Sequence, residues 1–307
     1  MAVILLNKNA CSETGLGKWK SIQSDIRKQL GSFETIIASD NTDKEIATQL
    51  KSGNTFFIAA GGDGTVNYLL NSIARNTLGA INHVIVGAIG LGSSNDFHKP
   101  FKQEQFINGI PCKINPDTAL SRTIGRIVWW ENNSEYQSFW INNASIGVTA
   151  EANFLFNHPS LLLNILKKAS TNAAILYAAI STIISYSNFP GDLLSDEQGY
   201  RNIELTNLGV VINPHFSGSM HYDSPFLYDS NKFFVHTMAG LKLLPTLHVL
   251  YRLSQGKFAG IKNTESYQTS RIAVRSQYSF AVEYDGETIK TNNVEFSVKQ
   301  NAVQICT

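Results

Sequence analysis

A short run of glycines, one acid and one hydroxyl separates a predicted apolar strand from a predicted helix. Glycines permit positive φ and let a ligand approach the backbone closely. The amides of such a loop, with the N-terminus of the helix that follows, form a site for an anion. The sequence therefore predicts a phosphate-binding loop after residues 57–60. Its members are Gly61, Gly62, Asp63, Gly64, Thr65, Val66 and Asn67.

An acid is unexpected in a phosphate-binding loop, because a carboxylate repels bare phosphates. Asp63 makes sense if it binds Mg²⁺ or accepts a proton from an attacking hydroxyl. The alternative is a simple turn residue in a glycine-rich connection between strand and helix. Two common nucleotide motifs are excluded, since the chain lacks a Walker A lysine here and a spaced G-x-G-x-x-G.

A second loop of similar composition follows the next predicted strand, residues 84–89. In open α/β sheets, ligands bind at the edge formed by the carboxyl ends of the strands. Hydroxyl and amide side chains at that edge could contact a phosphate, a ribose or a base. The alternative is a tight loop held by Asx-turn hydrogen bonds. The candidate residues are Gly92, Ser93, Ser94 and Asn95.

The elements that must position these loops alternate between apolar strands and amphipathic helices in the first part of the chain. Continuous apolar runs separated by helices are typical of a parallel sheet covered on both faces. After about residue 120 the segments become short and β-rich, apart from one long helical stretch at 154–186. The pattern predicts an α/β domain with a parallel sheet over residues 1–120. A mainly antiparallel, β-sandwich-like domain is expected over 121–296.

Composition restricts the function further. The 25 basic and 24 acidic residues nearly cancel, so electrostatics give no reason to expect a nucleic-acid partner. Hydrophobic residues make up 43% and charged residues 16%, which excludes a disordered chain. The three cysteines fit neither a zinc site nor a disulfide framework, so we expect reduced thiols in a cytoplasmic protein. No apolar run reaches the roughly 18 residues of a membrane span, so we expect no membrane-spanning helix.

With these motifs in this order, the sequence resembles the diacylglycerol kinase catalytic-domain family of lipid kinases. That family includes bacterial diacylglycerol kinases and sphingosine kinases and is distantly similar to NAD kinases. Both glycine-containing loops match its motifs, and Asp285-Gly286-Glu287 matches its Asp-Gly-Glu. Asn7 matches an asparagine that ends the first strand in the family. The matches run in the expected order along the whole chain.

The resemblance implies an active site in a cleft between a nucleotide domain and a lipid domain, with residues 297–307 returning to the first domain. It implies ATP and Mg²⁺ as cofactors, with the ATP phosphates on both loops and Asn7. Asp63, Asp285 and Glu287 are the candidate catalytic acids, and Asp63 is also a candidate ligand of the catalytic Mg²⁺. The implied partners are a lipid substrate and, transiently, a membrane surface, while a homodimer is left open.

Two departures from the family pattern affect metal binding. Tyr68 stands where the family usually has a glutamate, which removes one acid near the nucleotide. Bacterial relatives often hold a structural Mg²⁺ at an Asp-Gly turn, where this chain has Asn231 and Lys232. Asp229 could compensate in part, but a lysine beside a divalent cation is unfavourable. We therefore expect this structural site to be weak or absent.

The sequence supports three function hypotheses. The leading one is an ATP-dependent kinase for a hydroxyl of diacylglycerol or a similar lipid. A catalytically degenerate relative that only binds nucleotide or lipid is the first alternative, favoured by Tyr68 and Asn231. A kinase for a soluble substrate such as NAD is the second alternative. The apolar residues 161–184, with Lys167 and Lys168, either pack on the second domain, line an acyl pocket or touch a membrane.

Overall fold

In the computed structural model, the chain is described over residues 1–11, 14–132 and 134–307. For residues 167–169 and 171–172 only the backbone is described. The chain forms two compact units. The first unit contains Met1–Ile124 and Gln300–Thr307, and the second contains Gly125–Lys299.

The first unit begins with alternating strands and helices. Its contiguous part contains β1 (Ala2–Leu6), α1 (Gly15–Leu30), β2 (Phe33–Ile37), α2 (Thr42–Lys51), β3 (Phe56–Gly61), α3 (Asp63–Asn76), β4 (Ile85–Gly90), β5 (Phe106–Ile107) and β6 (Ile110–Lys113). Strands β2, β1, β3 and β4 lie side by side in that order, and all their pairings are parallel. The α/β first unit predicted from the alternating pattern is confirmed.

Burial explains why these apolar runs form central strands. Every residue of β1 is buried, and so are five of the six residues of β3. Helix α1 buries the stripe Trp19, Ile22 and Ile26, whose spacing places them on one face. It ends at Gly31, whose φ of 71° suits a residue without a Cβ. Helix α1 therefore covers the sheet with one apolar face, and its polar face remains in solvent.

The remaining elements, in chain order, are β7 (Leu120–Glu131), β8 (Ser134–Trp140), β9 (Asn143–Gly147), α4 (Val148–Asn157), α5 (Leu161–Ala169), α6 (Thr171–Ser185), β10 (Phe189–Ser195), β11 (Gly199–Val211), β12 (His215–Phe216), β13 (Met220–His221), β14 (Phe233–Ala239), α7 (Leu243–Ser254), β15 (Thr264–Thr269), β16 (Arg271–Tyr284) and β17 (Glu287–Ile305). The last residues of β17 pair in parallel with β4, with Gln304 opposite Ile85. The C-terminal segment is therefore a strand of the first unit.

The second unit is built mainly from antiparallel pairs, as the short β-rich segments predicted. Strand β11 pairs with β10, β14 and β9, and β16 pairs with β10, β9 and β17. Its core contains large side chains with almost no exposed surface, among them Trp140, Phe233, Phe280 and Phe296. Gly125 lies directly against Trp140, since a Cβ there would be 1.8 Å from the indole.

The single long helical stretch expected at 154–186 is three helices. Pro159 disfavours helical geometry in the residue before it, and α4 ends just before that point. Ser160 and Ser170 then act as N-caps of α5 and α6, accepting hydrogen bonds from the backbone N–H groups of Leu163 and Ala173. The sequence pattern did not predict α7, in which Pro245 lies in the first turn, a position that tolerates proline.

Candidate active site

The first glycine-rich loop lies at the carboxyl end of β3 and the N-terminus of α3. Gly61 ends the strand, and Gly62 is the extended N-cap of a helix of 14 residues. The N–H of Thr65 donates to Gly62 O at 2.9 Å, which closes the first helical turn. The earlier amides of the helix have no intrahelical acceptor, and the helix dipole adds partial positive charge there. This end of α3 has the geometry of an anion site.

Close packing requires glycine at two positions of the paired loops. A Cβ on Gly61 would lie 2.1 Å from Thr65 Oγ1. A Cβ on Gly92 would lie 2.5 Å from the Cα of Gly62, so the two loops touch backbone to backbone. The loops that the sequence predicted after neighbouring strands are therefore in direct contact.

Hydrogen bonds fix the second loop against the first. The N–H groups of Leu91 and Gly92 donate to Gly61 O at 2.8 and 3.2 Å. Asn95 adopts a left-handed conformation with φ of 50°, and its Nδ2 donates to the carbonyls of Gly90 and Gly92. Its Oδ1 is buried and has no hydrogen-bond partner. Asn95 thus holds the loop in the manner of an Asx turn, while Ser93 remains exposed.

The carboxylate of Asp63 joins the two loops. Its Oδ1 accepts the N–H of Phe97 at 2.8 Å, and its Oδ2 accepts the N–H of Asp96 at 3.1 Å. Both carboxylate oxygens therefore take part in holding the second loop against the first. The Asp96 carboxylate pairs with Lys99 Nζ at 2.6 Å in a buried ion pair. The sequence therefore placed Asp63 at the site but missed its structural role.

Asn7 reaches the same edge from β1. Its N–H donates to Ala60 O at 2.9 Å, and its Nδ2 donates to Thr65 Oγ1 at 3.2 Å. The side chains of Val66 and Asn67 are buried in the first turns of α3. Asn67 Oδ1 accepts a hydrogen bond from Asn71, one turn later on the helix. These two residues thus position the helix, and their side chains do not face solvent.

Lys18 is a functional candidate that sequence reasoning missed. Its Nζ donates to the carbonyls of Leu91 and Gly92 at 3.3 and 3.4 Å. The side chain is half-buried and comes from α1, more than seventy residues earlier. Only the fold brings this positive charge to the glycine loops, although the Gly-Leu-Gly-Lys run preceding the helical stripe was a visible signal.

Basic and aromatic groups pack beneath the second loop. Lys113 Nζ donates to Phe97 O at 3.1 Å. Burial lowers the pKa of Lys113 to about 8, and the nearby Arg122 and Lys102 add to the effect. Burial also lowers the pKa of His98 to about 3, with a smaller contribution from Lys113. The imidazole of His98 is therefore neutral near physiological pH.

Tyr68, at the position of the family's glutamate, contacts helix α2. Its hydroxyl donates to Asp43 Oδ1 at 3.4 Å, and Arg75 binds both oxygens of Asp43 at 2.9 Å. The Arg75 guanidinium also lies 5.9 Å from the centre of the Tyr68 ring. Tyr68 thus belongs to a surface cluster between α2 and α3.

In the second unit, Asp285 and Gly286 form a two-residue hairpin turn between β16 and β17. Their φ values of 47° and 92° are both positive, as a type I′ turn requires. The Asp285 carboxylate is buried and accepts the backbone N–H groups of Ile141, Asn142 and Asn143 at 2.6, 2.9 and 3.3 Å. These bonds engage both oxygens of Asp285 in holding the loop before β9.

Glu287 follows this turn and differs from its neighbour. Its side chain is exposed to solvent, and partial desolvation raises the pKa of its carboxyl above the ordinary value. The buried Glu283, which sequence reasoning missed, accepts the N–H of Gly286 at 2.7 Å and the Ser145 hydroxyl at 3.1 Å. Of these three acids, Glu287 is the one available to a substrate.

The stretch from Asp229 to Lys232, where we expect the structural Mg²⁺ site to be weak or absent, carries an ion pair. Lys232 Nζ lies 2.6 Å from Glu197 Oε1. Within residues 1–11, 14–132 and 134–307, no group of three or more His, Cys, Asp or Glu side chains could hold a metal ion.

A cavity of about 860 Å³ lies within the second unit. Apolar rings and carbon chains form one part of its wall, and Glu151, Lys290 and His158 supply polar groups. Helix α4 borders this cavity and also reaches the hairpin, because Asn157 Nδ2 donates to Gly286 O at 2.8 Å. The cavity and Glu287 are therefore linked through one helix of the second unit.

Comparison with known proteins agrees with this geometry. The model of the diacylglycerol kinase catalytic domain matches residues 1–126. Residues 1–126 therefore belong to the diacylglycerol kinase catalytic-domain family. No curated protein matches the sequence significantly.

Solved structures extend the likeness of the fold to the whole chain. A candidate diacylglycerol kinase from Bacillus anthracis str. Sterne is similar with a TM-score of 0.70 at 14% identity, covering 99% of this chain and 96% of that one. A diacylglycerol kinase structure from the same organism has a TM-score of 0.64 at 12% identity, with the same coverage. Yeast NADH kinase in complex with NADH has a TM-score of 0.51 at 11% identity, covering 99% and 82%. At these identities the structures establish the fold alone.

Proposed function

We propose that this chain is an ATP-dependent lipid kinase that transfers the γ-phosphate of ATP to a hydroxyl of diacylglycerol or a similar lipid. The observation that carries the proposal is the backbone contact between two glycine loops at the carboxyl ends of β3 and β4. Such an edge, with the N-terminus of α3 in it, suits the phosphates of a nucleotide.

Phosphoryl transfer mainly requires positioned phosphates, neutralised charge and an acid near the attacking oxygen. The amides of residues 62–64 at the start of α3 would bind the phosphates, and Lys18 would add positive charge at the same loops. Ser93 and Ser94 would donate to the nucleotide from the second loop. Mg²⁺ commonly binds through one or two carboxylates together with substrate phosphates and water, so Asp63 alone fits as its protein ligand. The bound ion would neutralise charge on the transferred group.

Glu287 is the proposed general base. A carboxylate whose pKa is raised accepts a proton more readily near neutral pH than an ordinary one. Activity should therefore be lost as the pH falls through this raised pKa. The buried Asp285 carboxylate already accepts three amides, so we assign it a positioning role for the turn that carries Glu287.

The cavity of the second unit supports a lipid acceptor. Its volume falls within the range that suits small-molecule ligands, roughly 300–1,000 Å³. Phe154, Phe189 and Phe280 offer contacts for carbon chains, while Glu151 and Lys290 offer polar contacts for a headgroup. A lipid held there would lie beside the helix that contacts the Glu287 hairpin.

A catalytically degenerate binder is the second candidate, and Tyr68 is the observation that favours it. The tyrosine supplies no carboxylate and is already engaged with Asp43 and Arg75. In that case nucleotide would bind to the glycine loops without turnover.

The test is transfer of radiolabelled phosphate from ATP, with Mg²⁺, to dispersed diacylglycerol, monoacylglycerol, ceramide and a sphingoid base, with NAD as the soluble acceptor. Label on a lipid supports the proposal and identifies the substrate class. Label on NAD alone contradicts it. ATP binding without label on any acceptor favours the degenerate binder.

Two variants test the assigned roles. Asp63→Asn and Glu287→Gln should each lower turnover by about a hundredfold or more, the usual effect of removing a catalytic acid or base. Glu135→Gln, an exposed glutamate of the same unit as Glu287, is the matched control and should keep full activity. Thermal unfolding of each variant would show whether the fold is intact. Full activity in either of the first two variants removes that residue from the mechanism.

A further inference from the structure

Side chains hold both polar groups of the Gly286 backbone. Its N–H donates to the buried Glu283 carboxylate at 2.7 Å. Its carbonyl accepts the side-chain amide of Asn157 at 2.8 Å, and the same amide donates to Thr288 Oγ1 at 3.3 Å. Asn157 therefore contacts the residues on both sides of Glu287.

The hydrogen bond to Gly286 O acts on Glu287 through the backbone. A peptide group is planar, so the carbonyl of Gly286 and the N–H of Glu287 belong to one rigid unit. Fixing the orientation of that plane limits the directions in which the Cα–Cβ bond of Glu287 can point. Gly286 and Glu287 are both exposed at the tip of the hairpin. Asn157 thus restrains the part of the turn that carries the proposed base.

Helix α4, which ends at Asn157, is attached to the same hairpin near its beginning. Glu151 Oε1 accepts the N–H of Ala281 at 3.0 Å, and Glu151 Oε2 lies 3.5 Å from Lys290 Nζ. Ala281 and Lys290 are cross-strand partners in β16 and β17. The helix therefore contacts the hairpin at two places, one on its strands and one at its turn.

The first turn of α4 is also fixed to the core of the second unit. The N–H and the hydroxyl of Thr149 donate to Oδ1 of the buried Asn207 at 3.0 and 2.8 Å. The helix has ten residues. As the sequence predicted, no helix in the described part of the chain is long and apolar enough to cross a membrane. Helix α4 is thus a short element that is held at both ends.

One side of α4 faces the cavity of the second unit. Phe154, Leu155 and His158 line the cavity, at spacings that place them on the same side of the helix. The ring of His158 stacks on that of Phe154, with the ring centroids 4.2 Å apart. An acceptor bound in the cavity would contact the helix that also holds the turn. A single element would then set the distance between the acceptor hydroxyl and Glu287.

We propose that Asn157 is a positioning residue for Glu287, which keeps the proposed base in register with a lipid acceptor held against α4. The inference rests on the proposed function, which assigns Glu287 as the base and the cavity as the acceptor site. A displacement of reacting groups by about 1 Å can slow a reaction by roughly a hundredfold. The amide of Asn157 points to the turn, and other residues of α4 line the cavity, so its removal should affect the rate and not lipid binding.

Kinetics of the full chain with ATP, Mg²⁺ and dispersed diacylglycerol, or the acceptor that is labelled in its place, test this assignment. Asn157→Leu removes the amide and keeps a side chain of similar size. It should lower kcat about tenfold and change KM for the lipid by less than about twofold. Asn153→Leu makes the same exchange one turn earlier on α4, so it is the matched control and should keep the original kcat. Asn157 is exposed, and thermal unfolding should show an intact fold in both variants.

A double variant separates positioning from a general structural effect. If Asn157 acts through Glu287, Asn157→Leu should cause no further loss of kcat in a chain that already carries Glu287→Gln. Losses that multiply in the double variant would overturn the proposal. Full activity of Asn157→Leu, or a loss confined to KM, would overturn it as well.

A further measurement needs neither ATP nor lipid. NMR titration follows the Glu287 carboxyl, whose signal is identified by its absence in Glu287→Gln. Partial desolvation raises the pKa of this carboxyl, so releasing the turn in Asn157→Leu should lower that pKa toward its ordinary value. An unchanged pKa would contradict the positioning role. A lowered pKa in a protein that labels no lipid would support the contact of Asn157 with the Glu287 turn and count against the proposed function, so the two failures are distinguishable.

Discussion

Each unit contains an Asp-Gly pair whose carboxylate accepts backbone N–H groups, Asp63-Gly64 in the first and Asp285-Gly286 in the second. The two pairs differ in the structure around them. Asp63 accepts two backbone amides of the neighbouring loop, and Asp285 accepts three of the loop before β9. The Asp63 loop opens a long helix, so amides at its N-terminus remain available to a ligand. The Asp285 turn joins two strands, and its polar groups are bonded within the second unit.

The difference separates residues that build a site from residues that react in it. An acid within a motif can be needed because it holds two loops together, and that requirement looks the same in a sequence as a catalytic one. In the first unit both roles can coincide in Asp63. In the second unit the proposed function divides them between the buried Asp285 and the exposed Glu287.

The largest expected effect comes from removing the buried carboxylate. Asp285→Ala would leave three backbone N–H groups without their acceptor, and each unsatisfied buried group costs about 1–3 kcal/mol. We expect the free energy of unfolding to fall by about 3 kcal/mol or more. Denaturant unfolding would measure this, with the exposed Asp229→Ala as control. An unchanged stability would contradict the anchoring role and make Asp285 available for catalysis.

The second-largest expected effect comes from disrupting the backbone contact between the two glycine loops of the first unit. In Gly92→Ala the new methyl would lie 2.5 Å from Gly62 Cα, so the loops must separate. Overpacking of this kind costs about 1–3 kcal/mol, and we expect ATP affinity to fall along with stability. Gly17→Ala is the matched control, because its Cβ would meet nothing within 4 Å and alanine favours a helix. If Gly92→Ala bound ATP normally, the paired loops would not be the nucleotide site.

The sequence predicted the glycine loops of the first unit better than the Asp285 turn of the second unit. Periodic apolar runs and glycine-rich turns are local signals, so the parallel sheet and both loops could be placed correctly. The three amides that Asp285 accepts come from residues more than 140 positions earlier, and no local pattern reports that pairing. Lys18 was missed for the same reason, since its partners Leu91 and Gly92 are distant in the chain.

The helices of the second unit illustrate another limit. The apolar composition of residues 161–184 predicted helix, and the structure has α5 and α6 there. Composition could not show that α6 buries Ala174 and Ala178 and exposes Leu176, because burial depends on which side meets the rest of the unit. Hydrophobicity would have predicted the opposite side to be buried.

Each unit also holds one buried neutral histidine, and these should make stability depend on pH. Burial lowers the pKa of His98 in the first unit and of His236 in the second to about 3, against about 6.5 in an unfolded chain. Protonation therefore favours the unfolded state. The stabilisation is fully present above about pH 6.5 and is lost as the pH falls toward 3.

The corresponding slope is at most about 1.4 kcal/mol per pH unit for each histidine. Unfolding of His98→Gln and His236→Gln between pH 7 and pH 4 should each show a shallower slope than the unchanged protein. His83→Gln, which alters an exposed histidine, should show the original slope. Equal slopes in all four proteins would assign the acid sensitivity to other groups.

The smallest expected effect comes from removing the positive charge of Lys18, which lies beside the two glycine loops of the first unit. Lys18 Nζ donates to the carbonyls of Leu91 and Gly92 at 3.3 and 3.4 Å, which are long hydrogen bonds. Its side chain is half-buried, so water screens a large share of its charge. Lys18→Gln should therefore weaken ATP binding by only about threefold, corresponding to roughly 0.7 kcal/mol. Titration calorimetry at low and high salt would measure it, with the exposed Lys20→Gln as the matched control. A loss that is the same at both salt concentrations would mean that Lys18 acts by holding the second loop, and a loss that shrinks with salt would mean that its charge attracts the phosphates.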